Sequence, residues 1–124
     1  MQEFIARTIE QPLRQALFKG KIIIIYGPRQ VGKTTLVKKL QGEHPSSLYL
    51  NCDKPDIRAA FTSATSTALK AFLGNAPLVF LDEAQRVKNI GLTLKLLADT
   101  FPQLQVVATG SSSFDLSNSI AEPL

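Results

Sequence analysis

An apolar run that leads directly into a glycine-rich turn constrains this chain more than any other feature. Residues 21–26 (KIIIIY) are rich in β-branched side chains and apolar on both faces, as a buried parallel strand requires. The next eight residues, GPRQVGKT, match the pattern G-x-x-x-x-G-K-[S/T] at every fixed position, and residues 31–40 are expected to form a helix. A strand, a glycine loop and a helix in this order predict an anion-binding loop at a helix N-terminus, within an α/β fold.

The residue types in this loop suit the phosphates of a nucleotide and a magnesium ion. Gly27 and Gly32 permit the backbone angles that turn the N–H groups of the loop towards an anion. Lys33 would place its ammonium on the β- and γ-phosphates, and Thr34 would offer a hydroxyl oxygen to Mg²⁺. Arg29 either reaches phosphate or lies in solvent, and the residues alone leave that open. The predicted nucleotide-binding residues are Gly27, Pro28, Arg29, Gln30, Val31, Gly32, Lys33, Thr34 and Thr35.

A second motif places two carboxylates at the end of another apolar run. Residues 78–83 read LVFLDE, so that Asp82 and Glu83 are expected at the carboxyl end of a buried strand. Asp82 is predicted to bind Mg²⁺ together with Thr34, and Glu83 to orient and polarise the attacking water. The alternative is a solvent-exposed acidic turn, which the phosphate loop elsewhere in the chain makes the weaker interpretation.

The surroundings of Asp82 discriminate between classes of nucleotide-binding protein. A GTPase carries D-x-x-G at this place, whereas Gln85 stands at the glycine position here, and the guanine-reading order N-K-x-D does not occur. Small-molecule kinases with this loop usually lack the adjacent glutamate, so ATP is favoured over GTP, and hydrolysis over transfer to a metabolite. A DEAD-type helicase is a third class, because DEAQ resembles that box. The upstream adenine motif is missing, however, and TGSS stands where SAT is expected.

Small hydroxyl residues follow a further apolar run, in VVATGSSS at residues 106–113. In this class of ATPase, the strand that carries such residues lies between the loop strand and the acidic strand, with its polar tip facing the γ-phosphate. Ser111 is the first candidate for this contact and Thr109 the second. Lys33, Glu83 and Ser111 therefore form the predicted catalytic set. The alternative for these hydroxyls is a helix N-cap, a position that serine suits well.

Strands and helices alternate along the rest of the chain, which is typical of a parallel sheet with helices on both faces. Helices are predicted for residues 4–18, 31–40, 54–73 (as one or two) and 89–101, and strands for 21–26, 47–51, 77–82 and 103–109. The tail from residue 111 is expected to begin another helix. The predicted fold class is therefore α/β: a P-loop NTPase, a three-layer αβα sandwich with a mainly parallel sheet of the additional-strand, catalytic-glutamate type. The 124 residues fit one domain, 1–124.

Composition excludes several other classes of protein. A lone cysteine, Cys52, rules out an internal disulfide or a multi-cysteine zinc cluster and fits a reducing cytoplasm. The longest apolar run, Ile22 to Ile25, is far shorter than the ~20 residues needed to cross a bilayer. The net charge of +4 permits contact with nucleic acid without demanding it, and no aromatic residues lie among the basic ones to stack on bases.

Four blocks together resemble the N-terminal half of bacterial and archaeal AAA-type ATPases that carry a C-terminal domain of unknown function: GPRQVGKTTL, YLNCDKPDIR, LVFLDEAQRV and VVATGSSSFDLSNSIAE. The resemblance covers nearly the whole chain. Ala84 is a small departure from it, at a position where a larger aliphatic residue such as isoleucine is more usual. It implies ATP and Mg²⁺ as cofactors. It also implies that the chain stops within the ATPase module, without the family's fifth strand, its lid helices, the basic residues beyond the fourth strand or the C-terminal domain. The alternative is a complete minimal domain, and homo-oligomer formation is left open.

Two hypotheses for function follow from these motifs. The first is an enzyme, a Mg²⁺-dependent ATPase in which water held by Glu83 attacks the γ-phosphate in line. The second is a nucleotide-controlled switch, in which hydrolysis is slow and an attached domain, one that could contact DNA, does the biological work. The two differ in whether the complete protein supplies a stabilising arginine.

Overall fold

Five parallel strands form one sheet in the computed structural model, which describes residues 10–26, 33–62, 65–110 and 121–123. The spatial order of the strands is β2-β3-β4-β1-β5, so the chain crosses over between neighbours that are not consecutive in sequence. Their bounds are β1 Ile22–Tyr26, β2 Leu48–Asn51, β3 Leu78–Asp82, β4 Gln105–Gly110 and β5 Ala121–Pro123.

Helices connect the strands and cover both faces of the sheet. The described helices are α1 (10–16), α2 (Lys33–Glu43), α3 (Pro55–Phe61), α4 (Ser66–Leu73) and α5 (Ile90–Thr100), with a short 3₁₀ turn at Ala84–Arg86. Local chemistry sets several of their ends. Pro55 occupies the first turn of α3, where a missing N–H is harmless. The Thr65 hydroxyl accepts from the N–H of Ala68 to cap α4, which ends at Gly74 with φ 64°.

Alternation along the strands divides the core into two halves. On one face, Ile23 and Ile25 of β1 pack with Leu36 and Leu40 of α2 and with Leu13 of α1. The other face is covered by α3, α4 and α5, whose buried residues pack against the intervening strand positions, among them Ile22, Ile24, Val79, Leu81, Phe61, Leu69 and Leu94. Because every strand position of β1, β3 and β4 is buried on one face or the other, except the half-buried Tyr26, the apolar runs need no alternation with polar residues.

Most of the predicted architecture is confirmed. The fold is a three-layer α/β sandwich of the P-loop NTPase type, and β4 lies between the loop strand β1 and the acidic strand β3, as expected. The segment 54–73 contains two helices, and α2 continues to Glu43, past the predicted end at residue 40. Residues 4–9 and 31–32, at the starts of two predicted helices, lie outside the described residues.

The expectation that the fifth strand is absent is wrong. Residues 121–123, which belong to the predicted helical tail, form β5 instead, in parallel register with β1 through the pair Ile23 and Glu122. Pro123 lies in this strand opposite Ile24, and a proline is tolerated there because β5 is the last strand of the sheet and has no neighbour on its outer side among the described residues. Residues 111–120, the rest of that tail up to β5, lie outside the described residues.

The helix predicted for residues 4–18 ends at residue 16 in the described part of the chain. Phe18 then takes a left-handed conformation with φ 60°, and Gly20 follows with φ 88°. The side chain of Gln105, at the start of β4, holds this turn by accepting from the N–H of Phe18 at 2.6 Å. No helix in the described segments is both long and apolar enough to cross a membrane.

Candidate functional site

The carboxyl ends of β1, β3 and β4 meet at one edge of the sheet. Tyr26 at the end of β1 is level with Gly110 of β4, and Leu81 of β3 is level with Ala108 of the same strand. The next residue of β3, Asp82, is therefore level with Thr109 and lies close to the point where the chain leaves β1. Residues 27–32 lead from this point to α2, so the predicted strand and helix lie on either side of them.

The loop residues themselves, Gly27 to Gly32, lie outside the described residues, as does Ser111. The backbone of Lys33 and Thr34 begins α2, and Thr35 is exposed in the first turn of that helix. The predicted contacts of these residues with phosphate and metal therefore stay predictions, and the described part of the site consists of the acidic strand end and what surrounds it.

Asp82 lies on the face of the sheet that α2 covers. In β3, Phe80 belongs to the core half that contains Leu36 and Leu40 of α2, and Asp82, two residues further on, points to the same side. Its side chain is almost fully buried, with 8% of its residue surface exposed. The carboxylate and the first turn of α2, which carries Thr34, therefore share one face of the sheet.

Two hydroxyl groups hold the Asp82 carboxylate, one on each oxygen. Thr109 of β4 donates to Oδ1 at 2.7 Å, and Tyr49 of β2 donates to Oδ2. The donors come from the two strands that flank β3. Burial raises the pKa of the Tyr49 phenol well above its usual range, and the bond to Asp82 adds to this effect, so the phenol stays protonated and able to donate.

Glu83 takes an unusual backbone conformation directly after the strand. Its φ of 56° and ψ of 46° lie in the left-handed region, which costs a residue other than glycine about 1–2 kcal/mol. The N–H of Glu83 donates to the hydroxyl of Thr109 at 3.3 Å, and the side-chain amide of Gln85 donates to the carboxylate of Glu83 at 2.8 Å. These contacts fix a buried carboxylate, 5% exposed, next to the metal-binding candidate.

The hydroxyl of Thr109 therefore connects the two acidic residues. It donates to Asp82 and accepts from the backbone of Glu83, so both functions of the hydroxyl are used within the site. The role of Thr109 as second candidate for a γ-phosphate contact stays a prediction, and the bonds that the structure shows position the end of β3. Sequence reasoning did not identify Tyr49, although a tyrosine two residues before the polar end of a strand that neighbours β3 was a usable signal.

The turn after β2 packs against the same strand end. The N–H of Cys52 donates to the carbonyl oxygen of Asp82 at 2.8 Å, and Arg58 donates to the carbonyl of Asp53 at 2.7 Å. Burial raises the pKa of the Cys52 thiol to about 12, with the nearby carboxylates Asp82 and Asp53 acting in the same direction.

Neither Asp53 nor Asp56, the two aspartates that flank the start of α3, stands at its N-cap. Lys54 stands at the N-cap of α3, and no side chain caps this helix among the described residues. The carboxylate of Asp53 instead lies 3.5 Å from the guanidinium of Arg86, in the 3₁₀ turn after Glu83. The ion pair brings the β2–α3 turn next to the turn that carries Gln85.

One carboxylate, that of Asp82, is enough for a magnesium ion that is held mainly by phosphate and water. Within the described segments, no group of three histidine, cysteine, aspartate or glutamate residues could hold a metal ion. Mg²⁺ in nucleotide sites needs no such group, since it takes one or two protein oxygens and completes its shell with phosphates and water. The hard oxygen donor of Asp82 suits this ion.

Comparisons with known proteins agree with this architecture. A family model described as an AAA domain matches residues 19–124. An uncharacterized protein of Mycobacterium tuberculosis and one of Mycobacterium bovis are each 32% identical over 115 residues, which is 90% of this chain and 24% of theirs. An uncharacterized protein of Methanocaldococcus jannaschii is 30% identical over 123 residues, covering 96% of this chain and 27% of its own. The chain spans about a quarter of the length of these curated relatives.

Proposed function

The chain belongs to the AAA domain family, and on that premise we propose that it binds ATP with Mg²⁺ and hydrolyses the γ-phosphate. One observation carries the proposal. The carboxylate of Asp82 lies level with the end of β1, on the face covered by α2, and is held there by Thr109. A metal ion at this carboxylate would lie at the edge where the phosphate loop leaves β1.

The loop and the first turn of α2 bind the nucleotide in this proposal. The backbone N–H groups of residues 27 and 29–32 and the positive end of the α2 dipole attract the phosphates, while Pro28 has no N–H to donate. Lys33 adds a charge at the β- and γ-phosphates, and Thr34 shares the metal with Asp82. When it is bound, Mg²⁺ neutralises part of the negative charge of the phosphates.

Glu83 is the proposed general base. It follows Asp82 directly in the chain. Because its backbone is left-handed, its side chain does not continue the in-and-out alternation of the side chains of β3. A carboxylate at this place orients a water and accepts its proton as the water attacks. Ser111 is proposed to contact the γ-phosphate.

Nucleotide affinity and turnover test the proposal separately. Lys33→Ala is expected to weaken ATP binding about tenfold or more, because a charge-assisted contact is lost. Calorimetric titration measures this. Lys38→Ala is the matched control, since Lys38 is exposed on the same helix. Equal affinity in wild type and Lys33→Ala contradicts the assignment of the loop.

Glu83→Gln is expected to lower steady-state phosphate release about 100-fold or more while ATP still binds, because glutamine cannot accept the proton. Gln103→Ala, an exposed position at the other edge of the sheet, serves as the control. Equal turnover in wild type and Glu83→Gln removes Glu83 from the mechanism.

A second candidate function, a nucleotide-controlled switch with slow hydrolysis, is favoured by the bond from Gln85 to Glu83. This bond at 2.8 Å holds the carboxylate that would activate water. In a switch of this kind, Gln85→Ala would release Glu83 and raise turnover. In an efficient ATPase the same change would lower turnover or leave it unchanged, so one variant distinguishes the two functions.

We also propose that residues 1–124 are the N-terminal part of a longer AAA-type ATPase module. The relatives are about four times as long as the matched region, which leaves room for a further domain and for an arginine supplied in cis or by a neighbouring copy.

We also propose a cytoplasmic location, because Cys52 is the lone cysteine and is buried.

A further inference from the structure

We propose that Tyr49 is a positioning residue for magnesium binding, because its hydroxyl fixes the Asp82 carboxylate from the neighbouring strand. This inference rests on the proposed function, since it assigns a role in the same site. It adds a residue of β2 to the site. The other proposed site residues come from the phosphate loop, from the end of β3 and from the end of β4.

The register of the sheet brings the phenol to the carboxylate. Tyr49 pairs with Phe80 in the parallel ladder of β2 and β3, so the two rings share a face of the sheet. Asp82 is the next residue of β3 on that face. The phenol ring is long enough to extend along the strand direction from the level of Phe80 to the level of Asp82, where its hydroxyl donates to Oδ2.

The two donors restrain the carboxylate more than either would alone. Thr109 binds Oδ1 from β4 and Tyr49 binds Oδ2 from β2, so a rotation of the carboxylate about its χ2 angle would disturb both hydrogen bonds. The Tyr49 ring packs against the core half that contains Phe80 and α2, which limits the movement of its hydroxyl. A metal ligand held in this way loses little conformational freedom when the ion binds.

Thr93 shows what a purely structural hydroxyl does in this chain. Its Oγ1 donates at 2.8 Å to the carbonyl oxygen of Phe61, and this buried contact joins α5 to the end of α3. Thr93 lies on the face of the sheet that is covered by α3, α4 and α5, away from Asp82. It therefore offers a matched control, in which one buried hydroxyl is removed without touching the carboxylate.

The test is a calorimetric titration of the 124-residue chain with a non-hydrolysable ATP analogue, once with Mg²⁺ and once with EDTA. Tyr49→Phe keeps the ring and removes only the hydroxyl. We expect its affinity in Mg²⁺ to fall about tenfold, the range seen when a hydrogen-bond partner of a metal ligand is removed, with the affinity in EDTA unchanged. Thr93→Val should lower the midpoint of thermal unfolding and leave the ratio of the two affinities as in wild type.

A double variant separates positioning from general damage. In an Asp82→Asn background, Tyr49→Phe should cause no further loss of Mg²⁺-dependent affinity, because the carboxylate that it positions is gone. Equal losses with Mg²⁺ and with EDTA, or no loss in Tyr49→Phe, overturn the role of Tyr49 while the proposed function stands. If the wild-type chain itself shows no Mg²⁺-dependent binding, the proposed function fails and this inference fails with it.

Discussion

Asp82 combines two requirements that usually conflict in a protein core. Its carboxylate is almost fully buried, and an isolated buried charge is costly. Hydroxyl groups of Thr109 and Tyr49 replace part of the lost hydration, and hydrogen bonds to an ionised group are stronger than those between neutral groups. Fixed donors, in place of mobile water, hold the carboxylate in one orientation, which is what a metal ligand requires.

Replacement of Asp82 by asparagine tests this arrangement at the scale of one residue. The substitution would keep the size of the side chain and remove its charge, and the new amide N–H₂ would face one of the two donating hydroxyls. We expect Asp82→Asn to weaken binding of Mg²⁺-ATP by about tenfold or more and to change metal-free ATP binding little. The measurement is calorimetry in Mg²⁺ and in EDTA, and an equal loss in both conditions would show that Asp82 does not act through the metal.

At the scale of elements, α1 is attached to the rest of the fold by ion pairs to α2 and by a hydrogen bond to the turn that follows it. Within the helix, Arg14 pairs with Glu10 and with Glu43 of α2, and Lys39 of α2 lies 2.9 Å from Glu10 at the start of the described part. After its end, Gln105 accepts from the N–H of Phe18. These contacts hold α1 beside α2, the helix that follows the phosphate loop.

Gln105 is expected to be the strongest of these contacts, because it is buried and satisfies the backbone on both sides of a turn. Its amide oxygen accepts from Phe18, and its N–H₂ donates to the carbonyl of Lys21 at 2.9 Å. Gln105→Ala would leave these two partly buried backbone groups without their side-chain partners and should lower the free energy of unfolding by about 1 kcal/mol or more. Urea denaturation measures the change.

Gln103→Ala is the control for this prediction, since Gln103 is exposed two residues earlier in the same connection. Its free energy of unfolding should stay within about 0.5 kcal/mol of wild type. If the two variants were equally stable, Gln105 would not anchor the turn after α1.

At the scale of the whole molecule, both core halves depend on one sheet with helices on each face. The strand that carries Asp82 lies second in the order β2-β3-β4-β1-β5, so each side of it has a neighbour. Cys52, which follows β2, is fully buried against the same strand end, and Tyr49 is half-buried. Both groups are neutral when protonated, and both lose hydration on folding. The free energy of unfolding should therefore decrease as the pH becomes alkaline.

The sign of this dependence follows from the raised pKa values. Burial raises the pKa of Cys52 from its ordinary value of 9.0 to about 12 in the folded chain, so the folded state binds more protons than the unfolded state between these values. The free energy of unfolding should therefore be highest below about pH 9 and fall by about 2 kcal/mol by pH 10.5, with Tyr49 acting in the same direction. Urea denaturation in metal-free buffer measures it, and Cys52→Ala should show a shallower decline. An equal slope in both proteins would contradict this origin.

Local patterns in the sequence were sufficient for the class of fold and for much of the candidate site. The apolar run 21–26 predicted the end of β1, and the run LVFLDE predicted a buried strand with Asp82 at its carboxyl end, because each is a contiguous pattern whose chemistry does not depend on distant residues. The short strand β5 was not predicted, because three residues that include a proline show no alternation of apolar and polar side chains. Only their pairing with β1 makes them a strand.

Tertiary structure alone decided which side chains surround Asp82. Tyr49, Asp82 and Thr109 are 27 or more residues apart in the chain, and nothing in their local sequence links them. They meet because parallel strands from separate crossovers pair in one register, which places every second side chain of three strands on one face. Register is a property of the packed sheet, since a slip of one residue would move Tyr49 to the opposite face and leave the carboxylate without its second donor.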